Sequence, residues 1–503
     1  MTIFSVAITL VAAAASTSSL YEPSNVIPPK PAREMRGAWI ATIANVTWPS
    51  QKGLSSAAQK AEFIALLDRA VRLKLNTIIF QVRPESDAFY ASSIEPWSEF
   101  LTGTMGKAPL PYYDPLAFAV QEAHARGLEL HAWFNPYRAR NSLARWPIAP
   151  NHVSKTHPQW VLRYGSQQWL DPGEKEVQIH LLKIVMDVVR RYDIDGVQFD
   201  DYFYPYPEKD RAGKVLDFPD YASWKRAEKG GFARDDWRRE NVNGLIHQVY
   251  EAIKAAKPSV KFGISPFGIW RSGEPPQIRG LDAYTILNAD SRKWLANGWV
   301  DYLAPQLYWP IDSPEQSFPV LLKWWAEQNV KGRNLFVGLD STKTNERWKV
   351  QEILNQIRLT RQQSGVSGQI HWNMKTLMQN SPLVAALERE VYQQSALTPA
   401  SPWLGSGRYG KPKVRVDRAT PGSEKGQARL MANRPVLKAS WELTEKPWLW
   451  LLQTKVGTQW KTEVLPGSKT SRSWVGSEPG IIAVTPIDRM GNASSSAVLQ
   501  RRM

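Results

Sequence analysis

The sequence contains no cysteine, and this absence excludes several kinds of chemistry. Disulfide bonds, iron–sulfur clusters, zinc sites with thiolate ligands and cysteine nucleophiles all need that side chain. The sequence also has no run of 18 apolar residues, so it does not predict a bundle of membrane-spanning helices. Hydrophobic residues still make up 43% of the 503 residues, which indicates a globular protein of more than one domain.

Several motifs that identify cofactor and metal sites are missing as well. No G-x-G-x-x-G follows the first predicted strand, and there is no Walker-type phosphate loop, no G-x-S-x-G and no H-E-x-x-H. His152 and His157 are five positions apart in a predicted loop, which is a weak metal signal. The sequence therefore predicts neither a metal site nor an organic cofactor.

The charge is strongly positive and unevenly distributed. The net charge is +16, and residues 401–503, with 17 Lys or Arg and 7 Asp or Glu, carry +10 of it. A basic surface favours polyanions such as nucleic acids, anionic lipids or acidic cell-wall polymers. Stacking motifs typical of RNA-binding proteins are absent, so we do not expect nucleic-acid binding. The 23 tryptophans suit the flat apolar faces of sugars, although most are expected in the core.

The N-terminus predicts export. Residues 3–15 form a short apolar run that ends in four alanines, which predicts a signal peptide at residues 1–15, although no Lys or Arg precedes the run. No cysteine follows the run, so we expect no lipid anchor at the cleavage site and a location in the periplasm or outside the cell. The proline-bearing residues 16–33 predict an extended linker.

Short apolar runs then alternate with longer segments of helical period over residues 34–395. The expected strands are 36–43, 76–82, 128–134, 196–199, 261–264, 301–307, 335–338 and 369–372, and the expected helices include 58–73, 115–126, 177–191, 242–256 and 348–362. Eight strand–helix units over about 360 residues predict an α/β fold, a TIM (β/α)8 barrel. A doubly wound open sheet is the competing architecture.

The pattern changes after a second predicted linker at residues 396–410. Short strands at 436–441, 448–453, 460–464 and 480–485 alternate with turns, which predicts a β-sandwich over residues 411–503. The segment 488–494 is similar to the last hairpin of a fibronectin type III module. We therefore predict a C-terminal fibronectin type III-like sandwich.

The active site of a TIM barrel lies at the C-terminal ends of its strands. The fourth predicted strand ends in Asp200, and Asp201 begins the loop that follows. Alternation places Gln198 and Asp200 on one face of the strand. Two adjacent carboxylates repel each other, so one is expected to have a raised pKa or a cationic partner. In the alternative interpretation, one of them caps a turn or binds a structural water.

The other strand ends supply aromatic, amide and arginine side chains. The aromatic residues expected at the mouth are Trp48, Trp133, Tyr137, Tyr202, Trp270, Tyr308, Trp309 and Trp372. This combination is typical of a carbohydrate cleft. Glycoside hydrolysis requires two carboxyl groups that flank the scissile bond, and the fifth and sixth predicted strands end without one.

Six segments resemble the glycosyl-hydrolase-like 10 family. They read MRGAW at 35–39, QVRP at 81–84 followed by Asp87, HAWFNPYR at 131–138, DGVQFDDYFYP at 195–205, GISPFGIWR at 263–271 and DYLAPQLYW at 301–309. The resemblance extends over about residues 34–395 and implies a TIM barrel that hydrolyses bacterial envelope glycans. One branch of the family cleaves peptidoglycan strands already stripped of their stem peptides. GLDSTK at 338–343 departs from a Pro-Ala-Tyr-Lys-like family stretch, so that Lys343 is carried over more safely than Asp340.

The residues and the resemblance together predict a glycoside hydrolase of peptide-free cell-wall glycan, with Asp201, Asp200 and Asp87 as catalytic residues. Asp201 is expected to project over the cleft as nucleophile or acid, and Asp200 to pair with Arg83 and stay ionised. The second carboxylate is left open between Asp87, Glu85 and Asp340. The predicted substrate-binding residues are Arg83, Trp133, Asn135, Arg138, Tyr202, Trp270, Gln306, Tyr308, Trp309, Trp372 and Asn373.

Three further interpretations complete the prediction. Arg83 and Arg138 suit a carboxylate on the sugar, such as the lactyl group of muramic acid, with salt bridges at the mouth as an equal alternative. The long insertion at residues 202–235, with Tyr204, Tyr206, Tyr221 and Trp224, is expected to form a subsite wall. The competing function is a glycan-binding envelope protein that kept the barrel without catalysis. No protein partner is predicted.

Overall fold

The computed structural model describes residues 20–141, 147–227, 231–419, 436–476 and 478–502, so the predicted signal peptide lies outside the described residues. The strands of the barrel and its loops are β2 (Met35–Ile40), β3 (Thr77–Arg83), β4 (Glu129–Phe134), β5 (Arg138–Arg140), β6 (Val161–Tyr164), β7 (Gln167–Leu170), β8 (Gly196–Phe199), β9 (Lys261–Ile264), β10 (Tyr302–Leu303), β11 (Asn334–Leu335), β12 (Val337–Asp340) and β13 (Gly368–Trp372). The other strands are β1 (Tyr21–Pro23), β14 (Lys413–Ala419), β15 (Val436–Glu442), β16 (Leu449–Val456), β17 (Gln459–Pro466), β18 (Ser471–Val475), β19 (Ile481–Ile487) and β20 (Ala497–Arg501).

Among the described residues, the α-helices all lie in the first four-fifths of the chain. They are α1 (Ser56–Arg72), α2 (Glu99–Thr102), α3 (Pro115–Ala125), α4 (Val153–Thr156), α5 (Lys175–Arg191), α6 (Tyr221–Ala227), α7 (Arg234–Ala256), α8 (Ala283–Ile286), α9 (Ser291–Asn297), α10 (Phe318–Gln328), α11 (Val350–Gln362), α12 (Met374–Gln379) and α13 (Ser381–Ala386). Among the described residues, no helix combines the length and apolar character needed to span a bilayer.

Parallel strands close into a ring at the centre of the larger domain. The sheet order is β11-β10-β9-β8-β4-β3-β2-β13-β12, and its two end strands are halves of one run interrupted at Phe336. The Phe336 amide donates to the Leu303 carbonyl at 2.9 Å, and the Gly338 amide donates to the Pro305 carbonyl at 2.8 Å. The interrupted run therefore pairs with β10 on one side and β13 on the other. The TIM barrel is confirmed, and each of the eight predicted strands overlaps a strand of the ring.

Large side chains fill the inside of the ring because every second residue of a strand points inward. A buried interior cluster contains Met35, Trp39, Ile79, Trp133, Tyr302, Phe336 and Ile370. Glycines on neighbouring strands make room for these rings. A β-carbon at Gly263 would lie 1.9 Å from the Tyr302 ring, and one at Gly196 would lie 2.8 Å from the His131 ring.

The helices cover the outside of the ring, and several begin where the sequence supplies a cap. The Ser55 side chain accepts from the Ala58 amide at the start of α1, and the Asp114 side chain accepts from the Ala117 amide at the start of α3. Helix α7 begins at Arg234, eight residues before the predicted start. Its first turns are held by ion pairs with a distant carboxylate, which local periodicity does not reveal.

The C-terminal domain is a sandwich of two antiparallel sheets. One sheet has the order β14-β15-β18, and the other has the order β1-β20-β19-β16-β17. Between them lies a buried cluster made of Tyr21, Val416, Leu437, Ala439, Trp441, Trp450, Leu452, Ile482 and Val484. The predicted sandwich is confirmed, whereas its finer likeness to fibronectin type III modules stays a prediction.

Both predicted linkers take part in packed structure. In the first, Tyr21–Pro23 forms strand β1, which pairs with β20 at the far end of the chain. In the second, the Thr398 hydroxyl donates to Glu129 at 2.8 Å, and the Trp403 indole donates to Asp301 at 2.8 Å. The second segment is therefore fixed against the N-terminal ends of the barrel strands, and it does not act as a free spacer over these residues.

A buried carboxylate joins the sandwich to the barrel. Asp195, which precedes β8, is 2% exposed and accepts hydrogen bonds from Arg489 of the sandwich and from His124, each at 2.9 Å. Although burial raises its pKa, Arg489 and His124 hold the pKa of Asp195 well below its usual range. Arg489 also pairs with Asp193, so one arginine connects two carboxylates of the barrel to the sandwich.

We expect Arg489→Met to lower the free energy of unfolding by about 3 kcal/mol, because it leaves the Asp195 carboxylate buried without its arginine. Since the folded-state pKa of Asp195 is depressed, this stabilisation is present above about pH 4 and is lost as the pH falls toward the folded pKa. Urea unfolding at pH 7 and at pH 3 measures both effects. Arg502→Met, which breaks the exposed Arg502–Glu22 pair, is the control and should cost less than about 1 kcal/mol. Equal urea midpoints for R489M and the wild type would contradict this role.

Candidate active site

A pocket of about 240 Å3 opens at the C-terminal ends of the barrel strands. Its lining consists of Trp39, Trp133, Asp200, Asp201, Tyr202, Tyr206, Ser265, Gln306, Tyr308 and Trp372. Seven of these ten were predicted site residues, namely Trp133, Asp200, Asp201, Tyr202, Gln306, Tyr308 and Trp372. The structure therefore brings together the predicted aspartate pair and the predicted aromatic walls.

Asp200 is held in place by donors from three directions. Its Oδ2 accepts from the Trp133 indole at 3.2 Å and from the Asn135 side-chain amide, and its Oδ1 accepts from the Tyr202 backbone amide at 3.2 Å. Asn135 is itself fixed, because its Oδ1 accepts from the Gln81 side chain at 2.6 Å. The carboxyl group of Asp200 therefore has a defined orientation on the inner wall of the barrel.

Asp201 is held by a different set of side chains from those that hold Asp200. Tyr206 donates its hydroxyl to Asp201 Oδ2, and the Gln306 side chain also hydrogen-bonds Asp201. Gln306 in turn donates to the Ser265 carbonyl at 2.9 Å. Burial strongly raises the pKa of Tyr206, so its hydroxyl stays protonated and acts as the donor. Residues from the loop after β8, from the segment that follows β10 and from the segment that follows β9 thus all contribute to placing Asp201.

Both carboxyl groups of the pair have raised pKa values. Burial raises the pKa of Asp200 to about 7, and the neighbouring Asp201 carboxylate adds to this increase. Burial raises the pKa of Asp201 too, while its hydrogen bonds to Tyr206 and Gln306 oppose the increase. Two interacting acids of this kind hold one proton between them near neutral pH. The protonated member of the pair can serve as a general acid.

The cation beside the pair is Arg138. Its guanidinium lies 4.2 Å from the centroid of the Tyr202 ring, and its charge lowers the pKa of both Asp200 and Asp201. Arg138 is only 6% exposed. It therefore acts on the carboxyl pair from a buried position against the Tyr202 ring.

The expected pairing of Asp200 with Arg83 is not formed. Arg83 instead forms a two-bond salt bridge with Glu95, at 2.8 Å and 2.6 Å. Its other N–H groups donate to Ser86 and to the carbonyls of Asn135 and Pro136, so all five donors are used. Arg83 is 1% exposed, and its hydrogen bonds connect the loops that follow β3 and β4. It has no donor left for a sugar carboxylate.

Of the three open candidates for the second carboxylate, two lie away from the pocket. Glu85 and Asp87 are fully buried, and burial raises the pKa of Asp87 to about 7 and that of Glu85 well above its usual range. Glu85 Oε2 accepts from the Asn141 amide at 2.7 Å, and Asp87 Oδ1 accepts from the Glu85 amide at 3.0 Å. Asp87 therefore shapes the loop after β3 and does not reach the pocket.

Asp340 is the candidate that remains at the mouth. It ends β12 and pairs in register with Trp372 of β13, which lines the pocket. Its Oδ1 accepts from the Thr342 amide at 3.1 Å and from the Thr342 hydroxyl, and Lys343 Nζ lies 3.9 Å from its Oδ2. Strands β9 and β10 separate β12 from β8 around the ring. Asp340 therefore lies at the same rim of the barrel as the aspartate pair, although it is not among the residues that line the pocket. Burial raises the pKa of Tyr308, and the charges of Asp340 and of the aspartate pair add to this increase.

Besides Arg83, Asn135 and Arg138, three further predicted substrate-binding residues lie outside the pocket lining and have structural roles. The Trp270 indole donates to Asp290 at 3.1 Å, and its ring stacks on Trp324 at 5.8 Å between centroids. Trp309 packs edge-on against Phe267. The Asn373 side chain caps α12 by accepting from the Thr376 amide at 3.4 Å.

Three residues of the pocket were not predicted in their roles: Trp39, Ser265 and, as a contact of the carboxyl pair, Tyr206. Trp39 and Ser265 occupy positions whose side chains point into the barrel. Applying the inward–outward alternation to every strand would have identified them from the sequence. Tyr206 belongs to the insertion, and of its described residues (202–227 and 231–235) only Tyr202 and Tyr206 line the pocket. Tyr204 is 2% exposed in the core, and Tyr221 is 55% exposed on the surface.

An ion cluster holds the rest of the insertion against α7. Asp220 is fully buried and accepts a two-bond salt bridge from Arg238, at 2.8 Å and 2.7 Å, and a third bond from Arg234 at 2.9 Å. The expected subsite wall is therefore limited to Tyr202 and Tyr206. Within the described ranges, no three His, Asp or Glu side chains converge in a way that could hold a metal ion.

Comparison with known proteins gives a consistent set of relatives. The model of the family described as "Glycosyl hydrolase-like 10" matches residues 34–355. "Glycosyl hydrolase YngK" of Bacillus subtilis (strain 168) is 43% identical over 397 residues, which cover 76% of each chain. "Glycosyl hydrolase DigH" of Escherichia coli (strain K12) is 39% identical over 360 residues, covering 66% of this chain and 80% of that one. Among solved structures, the catalytic domain of β-amylase from Paenibacillus polymyxa is similar with a TM-score of 0.47 and 12% identity, covering 72% of this chain and 99% of that one.

Proposed function

Because this chain belongs to the glycosyl hydrolase-like 10 family, we propose that its substrate is bacterial cell-wall glycan, specifically peptidoglycan strands without their stem peptides. The chain is a glycoside hydrolase, as are the named relatives that it matches over most of its length. The observation that supports catalysis at this site is the buried pair of Asp200 and Asp201, whose pKa values are raised inside an aromatic pocket. A site that only bound glycan would not need two adjacent buried carboxyl groups with raised pKa values, which argues against the non-catalytic alternative.

The size of the pocket supports a substrate without peptides. Its volume of about 240 Å3 is below the roughly 300–1,000 Å3 typical of sites for drug-sized ligands. The indole rings of Trp39, Trp133 and Trp372 occupy one region of the lining, with Trp372 edge-on to both of the others. We infer that one sugar ring occupies the space between these walls and the carboxyl pair, and that a peptide branch on that ring would need additional space.

The proposed chemistry follows from the carboxyl groups. The protonated member of the Asp200–Asp201 pair donates its proton to the glycosidic oxygen as the bond breaks. Asp340, on another wall of the mouth, is the group we assign to the opposite face of the sugar. There it would act as nucleophile, or as base for water. Hydrolysis of such a polymer takes place outside the cytoplasm, so the proposal includes export by the apolar segment at residues 3–15.

The proposal is tested with two substrates that differ only in the stem peptides. Purified protein is incubated with intact sacculi and with glycan strands from which an amidase has removed the peptides, and soluble products are identified by mass spectrometry. We expect fragments from the stripped strands only. Equal release from intact sacculi would contradict the requirement for peptide removal. No release from either, with hydrolysis of another polysaccharide, would contradict the cell-wall substrate while leaving the glycosidase intact.

A further inference from the structure

A cavity in the sandwich shares no lining residue with the catalytic pocket. It has a volume of about 640 Å3 and is formed by the end of β15, the start of β14 and the segments 443–447 and 467–470. A smaller cavity at Lys411, Lys413 and Glu442 adjoins it, and a third shares Lys446 and Gly467 with it. We name these three adjoining cavities the basic groove. At least its main cavity has the size of a ligand site.

Strand alternation explains why the groove is positively charged. Val416 points into the core of the sandwich, with Val414 packed against that core, so Lys413 and Arg415 lie on the outward face of β14. Lys446 and Lys411 add two more exposed cations. Among the described residues, none of these four side chains has a carboxylate within 4.0 Å. Glu442 is the carboxylate of the main cavity, so cations outnumber anions there.

Hydrogen bonds hold the floor of the groove in one conformation, so a ligand could bind without rearranging it. The Trp441 indole donates to the Lys469 carbonyl at 3.0 Å, and the Trp450 indole donates to the Gly467 carbonyl at 3.1 Å. Both rings are almost fully buried and hold the 467–470 segment against the end of the sandwich. Hydroxyl groups of Ser440, Thr444, Ser468 and Thr470 line the space between the cations. A lining of hydroxyls and cations on a rigid floor matches a sugar polymer with acidic groups.

We propose that the basic groove is a second glycan-binding site, which binds segments of polysaccharide or polyol chains with carboxylate or phosphodiester groups. Lysine and arginine bind both kinds of anion through charge-assisted hydrogen bonds. Arg489 of the sandwich contacts Asp195, and Trp403 of the second linker contacts Asp301. Both aspartates precede their strands, while the catalytic pocket opens at the other ends of the strands. The two sites therefore bind separate stretches of wall polymer. The groove keeps the enzyme on that polymer between cleavage events.

Binding of labelled probes to the full chain tests this proposal without any turnover. The probes are oligogalacturonate for carboxylates, poly(glycerol phosphate) for phosphodiesters, and a neutral maltooligosaccharide, each measured by fluorescence anisotropy at low salt. We expect binding of at least one anionic probe and at least tenfold weaker binding of the neutral one. Preference between the two anionic probes shows which acidic group the groove recognises. Equal affinity for the neutral probe, or no binding of either anionic probe, would overturn the proposal.

Paired charge reversals locate the binding. Lys413→Glu with Arg415→Glu should weaken the anionic probe at least tenfold. The control, Arg72→Glu with Lys331→Glu, changes the net charge equally at exposed barrel positions and should stay within twofold of the wild type. Equal weakening in both double variants would show general charge attraction and would overturn the site. Should the reversed protein unfold, K413Q with R415Q provides a milder test in the same direction. An Asp201→Asn protein should bind the probe as the wild type does, which separates this site from the catalytic pocket.

Discussion

Asp201→Asn is expected to lower kcat/KM on the glycan substrate by about 10³-fold, within the range for loss of a general acid or base. Asparagine keeps the shape of the side chain and an oxygen that accepts from Tyr206, so the pocket should stay intact. The variant loses the charge and the proton that Asp201 shares with Asp200. Steady-state kinetics on stripped strands, together with a thermal unfolding curve, separates lost chemistry from lost folding. Asp87→Asn is the matched control, because Asp87 is a buried carboxyl group with a pKa of about 7 that lies outside the pocket.

The pH profile provides a second measurement on the same protein. In the wild type, the carboxyl pair must keep one proton, so kcat/KM should fall about tenfold per pH unit above the pair's upper pKa near 7. The Asp201 carboxylate helps to raise the pKa of Asp200. Without that charge, the pKa of Asp200 decreases, and the alkaline limb of the residual activity moves to lower pH. An unchanged alkaline limb in D201N would show that the proton belongs to a group outside the pair.

Asp340→Asn is expected to lower kcat/KM by about 10²-fold or more, because hydrolysis needs a carboxylate on the face of the sugar opposite the acid. Asparagine is a good helix cap and still accepts from the Thr342 amide, so the turn at 341–345 should remain folded. If Asp340 only capped the turn, D340N would leave kcat/KM almost unchanged. A lower kcat would therefore show that Asp340 takes part in the reaction. Kinetics on stripped strands and the unfolding temperature are the two measurements.

The control for this substitution is Thr342→Val, which removes a hydroxyl partner of Asp340 and leaves its charge. It should lower kcat/KM far less than D340N. If D340N keeps activity within about threefold of the wild type, Asp340 is not the opposing group. The remaining route is then one in which the acetamido group of the substrate itself attacks, as in substrate-assisted glycosidases.

The sequence located most of the site because the barrel places strand ends together. Once eight strands were predicted, Asp200, Gln306, Tyr308 and Trp372 had to meet at one rim, whatever their separation along the chain. The alternation of side chains along the fourth strand also predicted that Gln198 and Asp200 share one face of the strand. It did not identify the partner of Arg83, because Glu95 reaches it from a loop whose path no periodicity describes.

The sequence by itself determined the order and class of the elements, since strand alternation and helical period are local properties that burial on one face imposes. It also determined the adjacency of Asp200 and Asp201. Only the tertiary structure decided which partners those side chains have, because Tyr206 and Arg138 reach the pair through loop geometry. The tertiary structure also decided that residues 21–23 add a strand to a sheet of the C-terminal sandwich, where Tyr21 pairs with Arg501, about 480 positions away along the chain. Such contacts depend on how separate units pack against each other, and no short window of sequence contains that information.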